Sequence, residues 1–230
     1  MNASSSAKRA PRSAELRVGG LARLSTCDWP GELVATVFCQ GCPWSCGYCH
    51  NPHLIPPGSA QEIDWRDVLS FLESRRGLLD GVVFSGGEPT LQAALPEAMR
   101  TVRALGFRVG LHSAGPYPER LAAVLPLVDW IGFDVKAPFD DYARITGVPG
   151  SGVKARASLL RVLASGVDCD IRTTVHGALL DRPDLARLSS ELGRLDIHNH
   201  RLQPFRAAGC ATPRLIDTPP NGPHAQQMGS

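Results

Sequence analysis

ELVATVFCQGCPWSCGYCH, residues Glu32–His50, runs an apolar β-type stretch straight into four cysteines within eleven positions, in a 230-residue chain that holds seven. The run is rich in residues that suit a pleated, half-buried surface. From Cys39 the spacing is C-x2-C-x3-C-x2-C, and three readings compete for it. Structural zinc wants two ligand pairs separated by a longer loop, whereas only three residues lie between Cys42 and Cys46. The bacterial ferredoxin run, C-x2-C-x2-C-x3-C, has a different order. The third reading takes Cys42, Cys46 and Cys49 alone. Counted along the strand, Cys39 shares a face with Leu33, Ala35 and Val37, where a free cysteine behaves as a small hydrophobe. A core position is therefore expected for it rather than a fourth ligand or a redox partner.

Working outward, short β-type runs alternate with helical segments. Strands are predicted in ELVATVFC from Glu32, GVVF from Gly81, FRVGLH from Phe107, DWIGFD from Asp129, DCDIRTTV from Asp168 and NHRLQPF from Asn199. Between them, Trp65, Val68, Leu69 and Leu72 recur at helical spacing behind a candidate N-cap, Asp64. Two further helical segments end on Gly106 and Gly166, which suit a left-handed C-cap. PYPERLAAVLP and DRPDLARLSSELGRL supply the remaining crossovers. Six strands separated by helices require a parallel sheet with right-handed crossovers, either doubly wound or a (β/α) barrel, complete or partial. Functional residues should then follow the apolar runs rather than precede them.

The 24 basic and 22 acidic residues nearly balance, at +2, so composition directs the chain to neither nucleic acid nor an anionic membrane. An odd cysteine count, with four clustered and no apolar signal-peptide core, points to a reduced cytoplasmic setting. No apolar run approaches the roughly 20 residues that span a bilayer. Residues 1–16 read as a disordered tail rather than a transit peptide, because they lack an apolar helical face. Residues 17–206 read as one domain, and the Pro- and Gly-rich stretch 207–230 as a flexible tail.

The C-x3-C-x-aromatic-C pattern of Cys42, Cys46, Tyr48 and Cys49 resembles the radical S-adenosylmethionine (SAM) superfamily. That resemblance implies a partial (β/α)6 barrel of parallel strands with outer helices. It also implies a [4Fe-4S] cluster on three thiolates and SAM on the open iron, where reductive cleavage frees a 5′-deoxyadenosyl radical. Further matches follow in order along the chain. VVFSGGEP is similar to the family's glycine-rich stretch, with Gly86 and Gly87 near the methionine amino group and Glu88 shaping the loop. LHSAG is similar to the ribose-contacting stretch, with Ser113 offering a hydroxyl. FDVK resembles a D-x-K signature that would place Asp134 and Lys136 near the SAM carboxylate or an accompanying cation. Arg172 in IRTTV and Gln203 in LQPFR complete the implied cofactor-binding set, with Arg206 also placed at the end of the sixth strand. Taken singly, these features also read as a turn, a helix cap or a surface residue. Their joint order with the cysteines is what points to a cofactor site.

Ahead of the cysteines, LSTCDWPGELVATVFCQGCPWSCGYCHNP is similar to the entry of the glycyl-radical activating enzymes. Its D-W-P-G variety resembles the activating proteins of anaerobic ribonucleoside-triphosphate reductase. The implied partner is a glycyl radical enzyme, the large subunit of anaerobic ribonucleotide reductase, served by a flavodoxin- or ferredoxin-type electron donor. Pyruvate formate-lyase activases carry an acidic residue where this chain has His112, and a histidine where it has Arg206. Their partner is therefore not carried over. Two other readings stay open: a radical SAM enzyme for a small molecule, akin to the carboxy-deazaguanine synthases, and a non-catalytic iron-sulfur carrier or zinc-stabilised module. Cys27, Cys169 and Cys210 read as ordinary thiols.

Overall fold

The computed structural model of the chain describes residues 15–217 and contains one seven-stranded sheet whose strands lie side by side in chain order. They are β1 (Val18–Ser25), β2 (Val34–Cys39), β3 (Gly81–Gly86), β4 (Arg108–Ser113), β5 (Trp130–Asp134), β6 (Asp168–Val175) and β7 (Arg201–Pro204). The helices are α1 (Trp65–Glu73), α2 (Leu95–Ala104), α3 (Pro118–Val124), α4 (Tyr142–Thr146), α5 (Ser151–Ser165), α6 (Arg182–Gly193) and α7 (Pro213–Ile216). From β2 to β7 every pairing is parallel. A doubly wound sheet reverses its strand order at a switch point. This one does not, so it is singly wound: a partial (β/α)6 barrel with outer helices.

All six predicted strands are present. A seventh, β1, precedes them and pairs antiparallel with β2. Its sequence, VGGLARLS, lacks the alternation of a half-buried strand. Gly19 lets side chains pack onto its backbone, since a Cβ would stand 2.3 Å from Leu54 Cδ2 and 2.4 Å from Gln40 Oε1. Leu33, expected on the apolar face of the first parallel strand, lies ahead of β2 and is exposed. The short helices α4 and α7 hold too few residues for a helical period to register.

Parts of the stretches read as tails are packed. Leu16 and Leu215 are buried, and the segment 207–217, expected to be a flexible tail, packs against the body with Cys210 buried. Residues 1–14 and 218–230 lie outside the described residues.

The two faces of the sheet divide by the period-2 rule. Ala35, Val37 and Cys39 of β2, Val82 and Phe84 of β3, Leu111, Phe133 and Ile171 face the helices and form the main core with Val68, Leu72, Met99, Leu121, Leu159 and Leu188. The alternate residues point into the lumen of the half barrel. At the N-terminal end of the strands the lumen is plugged by the Asp28-Trp29-Pro30-Gly31 turn. Trp29 stacks on Trp130 with centroids 5.5 Å apart, and the pair packs with Val34 and Val83. Gly81 and Gly110 make room, since a Cβ on either would come within 3.1 Å of the Trp29 ring. The Arg108 guanidinium covers the same ring at 5.0 Å. With that end filled, the opening of the lumen lies at the C-terminal ends of the strands.

Candidate active site

At those ends sits a solvent-open cleft lined by both polar and apolar side chains. Its wall on one side is the loop after β2. Cys42, Trp44, Cys46, Tyr48 and Cys49 line the cleft, whereas Cys39 does not. Cys39 is fully buried in the main core. Its carbonyl accepts the Gly87 N–H at 2.9 Å. Burial pushes all the cleft thiols up, Cys42 to about 12, so the thiolates form only against a cation bound beside them. Among the described residues no three His, Cys, Asp or Glu side chains converge on a point fit for a single ion. Three thiols on one cleft wall supply an all-sulfur donor set of the kind that iron-sulfur clusters take.

Opposite this loop, the end of β3 meets it backbone to backbone. Gly86 has φ +108°, and a Cβ there would stand 2.4 Å from the Cys39 nitrogen; one on Gly87 would stand 2.2 Å from the Gly41 carbonyl oxygen. Both glycines line the cleft, but the close approach that requires them is to the chain's own β2 end. Glu88, the next residue, is buried. Its carboxylate accepts from the Thr90 N–H at 3.0 Å and hydroxyl at 2.5 Å, from Ser113 Oγ at 2.9 and 3.1 Å, and from the Ala114 N–H at 3.2 Å. It thereby ties the loops after β3 and β4 together. Burial raises its carboxyl pKa, and these hydrogen bonds counter the rise. The Ser113 hydroxyl proton is committed to Glu88, and its oxygen accepts the Gly115 N–H at 3.0 Å.

The floor of the cleft is charged. On β5 and β6, Asp134 Oδ1 accepts from Arg172 Nε at 2.7 Å, and Asp134 Oδ2 lies 3.9 Å from Lys136 Nζ. Both cationic side chains are 12% exposed. Burial acts to raise the Asp134 carboxyl, but Arg172 and then Lys136 hold it below the usual carboxylate range. Burial acts against the Lys136 ammonium too, yet its neighbours Tyr48, Cys46 and Asp134 hold its pKa above the ordinary lysine value. Lys136 Nζ donates to the Tyr48 hydroxyl at 3.3 Å, joining the floor to the cysteine loop. Gly132 cradles this assembly, for a Cβ there would meet the Arg172 guanidinium and the His112 ring at 2.9 Å.

His112 is the residue that the sequence marked only as a departure. It lines the cleft with Nε2 2.8 Å from the Asp28 carbonyl and Nδ1 3.1 Å from Ser85 Oγ. The carbonyl can only accept, so Nε2 carries the proton and Nδ1 accepts from Ser85. Burial and then Arg172 lower its pKa to about 4, which agrees with a neutral ring. Of the predicted set, Tyr48, Gly86, Gly87, Glu88, Ser113, Asp134, Lys136 and Arg172 line the cleft with the three cysteines. Gln203 is half-buried on β7 and does not. Sequence reasoning misses Ser85, His112 and Thr174, although the first two directly precede predicted site residues and Thr174 stands two beyond Arg172 on the same strand face.

A family model described as the radical SAM superfamily matches residues 36–188. The chain belongs to that family and is a radical SAM enzyme, with a [4Fe-4S] cluster and SAM as cofactors. It is 30% identical over 191 residues to a Methanocaldococcus jannaschii protein named provisionally as a glycyl-radical enzyme activating enzyme, covering 79% of this chain and 77% of that one. It is 27% identical to the pyruvate formate-lyase-activating enzyme of Clostridium pasteurianum, over 84% of this chain and 83% of the relative. A PqqA peptide cyclase of Gluconobacter oxydans is 32% identical over 66% of this chain and 44% of its own length. Among solved structures, Streptococcus suis SuiB bound to S-adenosylmethionine superposes with a TM-score of 0.57 at 12% identity. The match covers 73% of this chain and 39% of SuiB, and supports the fold alone.

Proposed function

We propose that the protein activates a glycyl radical enzyme by removing one hydrogen atom from a backbone glycine of its partner. The observation that carries this reading is the extended match, over more than three quarters of both chains, to two relatives named as activating enzymes. Anaerobic ribonucleotide reductase is the partner that the D-W-P-G entry favours, and a flavodoxin or ferredoxin is the donor. The oxygen-sensitive cofactor and seven free cysteines fit a reducing cytoplasm. No helix among the described residues is long and apolar enough to cross a membrane.

The residues present fit the cofactors. Cys42, Cys46 and Cys49 would hold the cluster, with one iron left for SAM. One carboxylate facing two partly buried cations leaves a positive charge on the cleft floor, and Lys136 and Arg172 would thereby hold a carboxylate of the bound cofactor. Glu88, with Ser113, would shape the cofactor-facing wall through its hydrogen bonds to Thr90 and Ala114 rather than by charge. When bound, the cluster and SAM would supply a 5′-deoxyadenosyl radical able to abstract hydrogen. A second reading, modification of a peptide rather than activation of an enzyme, is favoured by the PqqA cyclase relative.

The test is anaerobic reconstitution followed by SAM, dithionite and the reductase, read by electron paramagnetic resonance. A glycyl doublet that disappears when the reductase glycine is replaced by alanine is expected. SAM cleavage without any doublet from that reductase would overturn this partner.

A further inference from the structure

The half barrel has two edge strands, β1 and β7, and its cysteine loop follows β2, at the far end of the sheet from β7. The segment after β7 returns to that loop. His50 Nε2 donates to the Arg206 carbonyl at 2.8 Å, and the His50 ring stacks on Phe205 at 5.6 Å. Gly209, at φ +83°, lies so close that a Cβ would stand 2.3 Å from the His50 carbonyl oxygen. The Thr212 hydroxyl donates to the Gly47 carbonyl at 2.6 Å. Leu215 is buried and anchors the far end, its carbonyl 3.2 Å from His176 Nε2.

Gly47 is the decisive contact. It lies between Cys46 and Cys49, and its N–H donates at 3.3 Å to the Ile145 carbonyl of α4. Both of its backbone groups are therefore bonded to distant parts of the chain. A glycine in a ligand turn is otherwise the position with the most conformational freedom to lose. We propose that residues 206–216 form a strap that fixes the Cys46–Cys49 turn for the iron-sulfur cluster, with Thr212 as its positioning residue. Holding the turn in place before the cluster binds lowers the ordering cost of binding it, which slows its loss. The inference requires the cluster and is independent of which partner the enzyme activates.

The experiment uses the full chain, reconstituted anaerobically, and follows iron release to a chelator without SAM or partner. Thr212→Val should release iron about five- to tenfold faster, as loss of one part-buried hydrogen bond allows, and Thr212→Ser should remain near wild type. Gly209→Ala, which displaces the strap from His50, should also accelerate release. Asp181→Ala, which removes the N-cap of α6, serves as the control for a general loss of stability. Release from Thr212→Val at the wild-type rate would overturn the proposal. So would equal acceleration in the Thr212→Val and Asp181→Ala proteins.

Discussion

Cys39 and Cys42 are three positions apart in the same motif, yet their surroundings assign them opposite roles. Cys39 ends an apolar row and makes no contribution to the cleft. Cys39→Ala should therefore retain a full iron complement and SAM cleavage at about the cost of one small core truncation, roughly 1 kcal/mol of stability. Alanine at Cys42, Cys46 or Cys49 should abolish both, as iron content and 5′-deoxyadenosine yield would record. The alternating pattern of VATVFC makes the role of Cys39 legible in the sequence itself. His112 is not legible in the same way, because its protonation state depends on three distant groups: the Asp28 carbonyl, Ser85 and Arg172. Its folded pKa of about 4 lies below the ordinary 6.5. The unfolded chain therefore takes up a proton that the folded ring refuses, and stability from this residue is complete above pH 6.5 and declines as pH falls toward 4. Nitrogen NMR should show the Nε2–H tautomer unchanged from pH 7.5 to 5.5; protonation in that interval would contradict the hydrogen-bond assignment.

At the scale of elements, expectation and structure agree where the chemistry is local. Asp64 caps α1 by accepting the Arg66 N–H, and Gly166 closes α5 at φ +72°. In α6, Asp181 accepts the Asp184 N–H while Asp184 accepts the Asp181 N–H, a reciprocal capping box. Asp181→Ala should cost about 1 kcal/mol by denaturant unfolding. Elements without a local signature escape such reasoning. β1 is a strand because β2 offers it an edge, and 206–216 is ordered because His50, Gly47 and His176 hold it. The D-W-P-G turn is visible as a motif but its physical role is not: Trp29 fills the floor of the lumen, against Trp130 and two glycines. Trp29→Ala should open a cavity there and cost about 3 to 5 kcal/mol. It should also weaken the Asp28 contact that orients His112, so its unfolding curve and histidine NMR signals should change together.

For the whole molecule, the pattern of apolar runs specifies six parallel strands but cannot choose between a doubly wound sheet and a partial barrel. Strand order decides that, and strand order lives in long-range pairing. The same order explains why residues scattered from Cys42 to Arg172 meet: each sits at or near the C-terminal end of its own strand. Gln203 falls outside because β7 is the edge. Centrally, this cleft is proposed to abstract hydrogen from a backbone glycine of a protein partner. The most direct measurement uses anaerobic ribonucleotide reductase deuterated at the α-carbons of its glycines, followed by mass spectrometry of the 5′-deoxyadenosine formed. Deuterium in that product, matched to the glycyl radical signal and lost when the radical-bearing glycine is replaced by alanine, is the predicted result. A glycyl radical accompanied by unlabelled 5′-deoxyadenosine would contradict it.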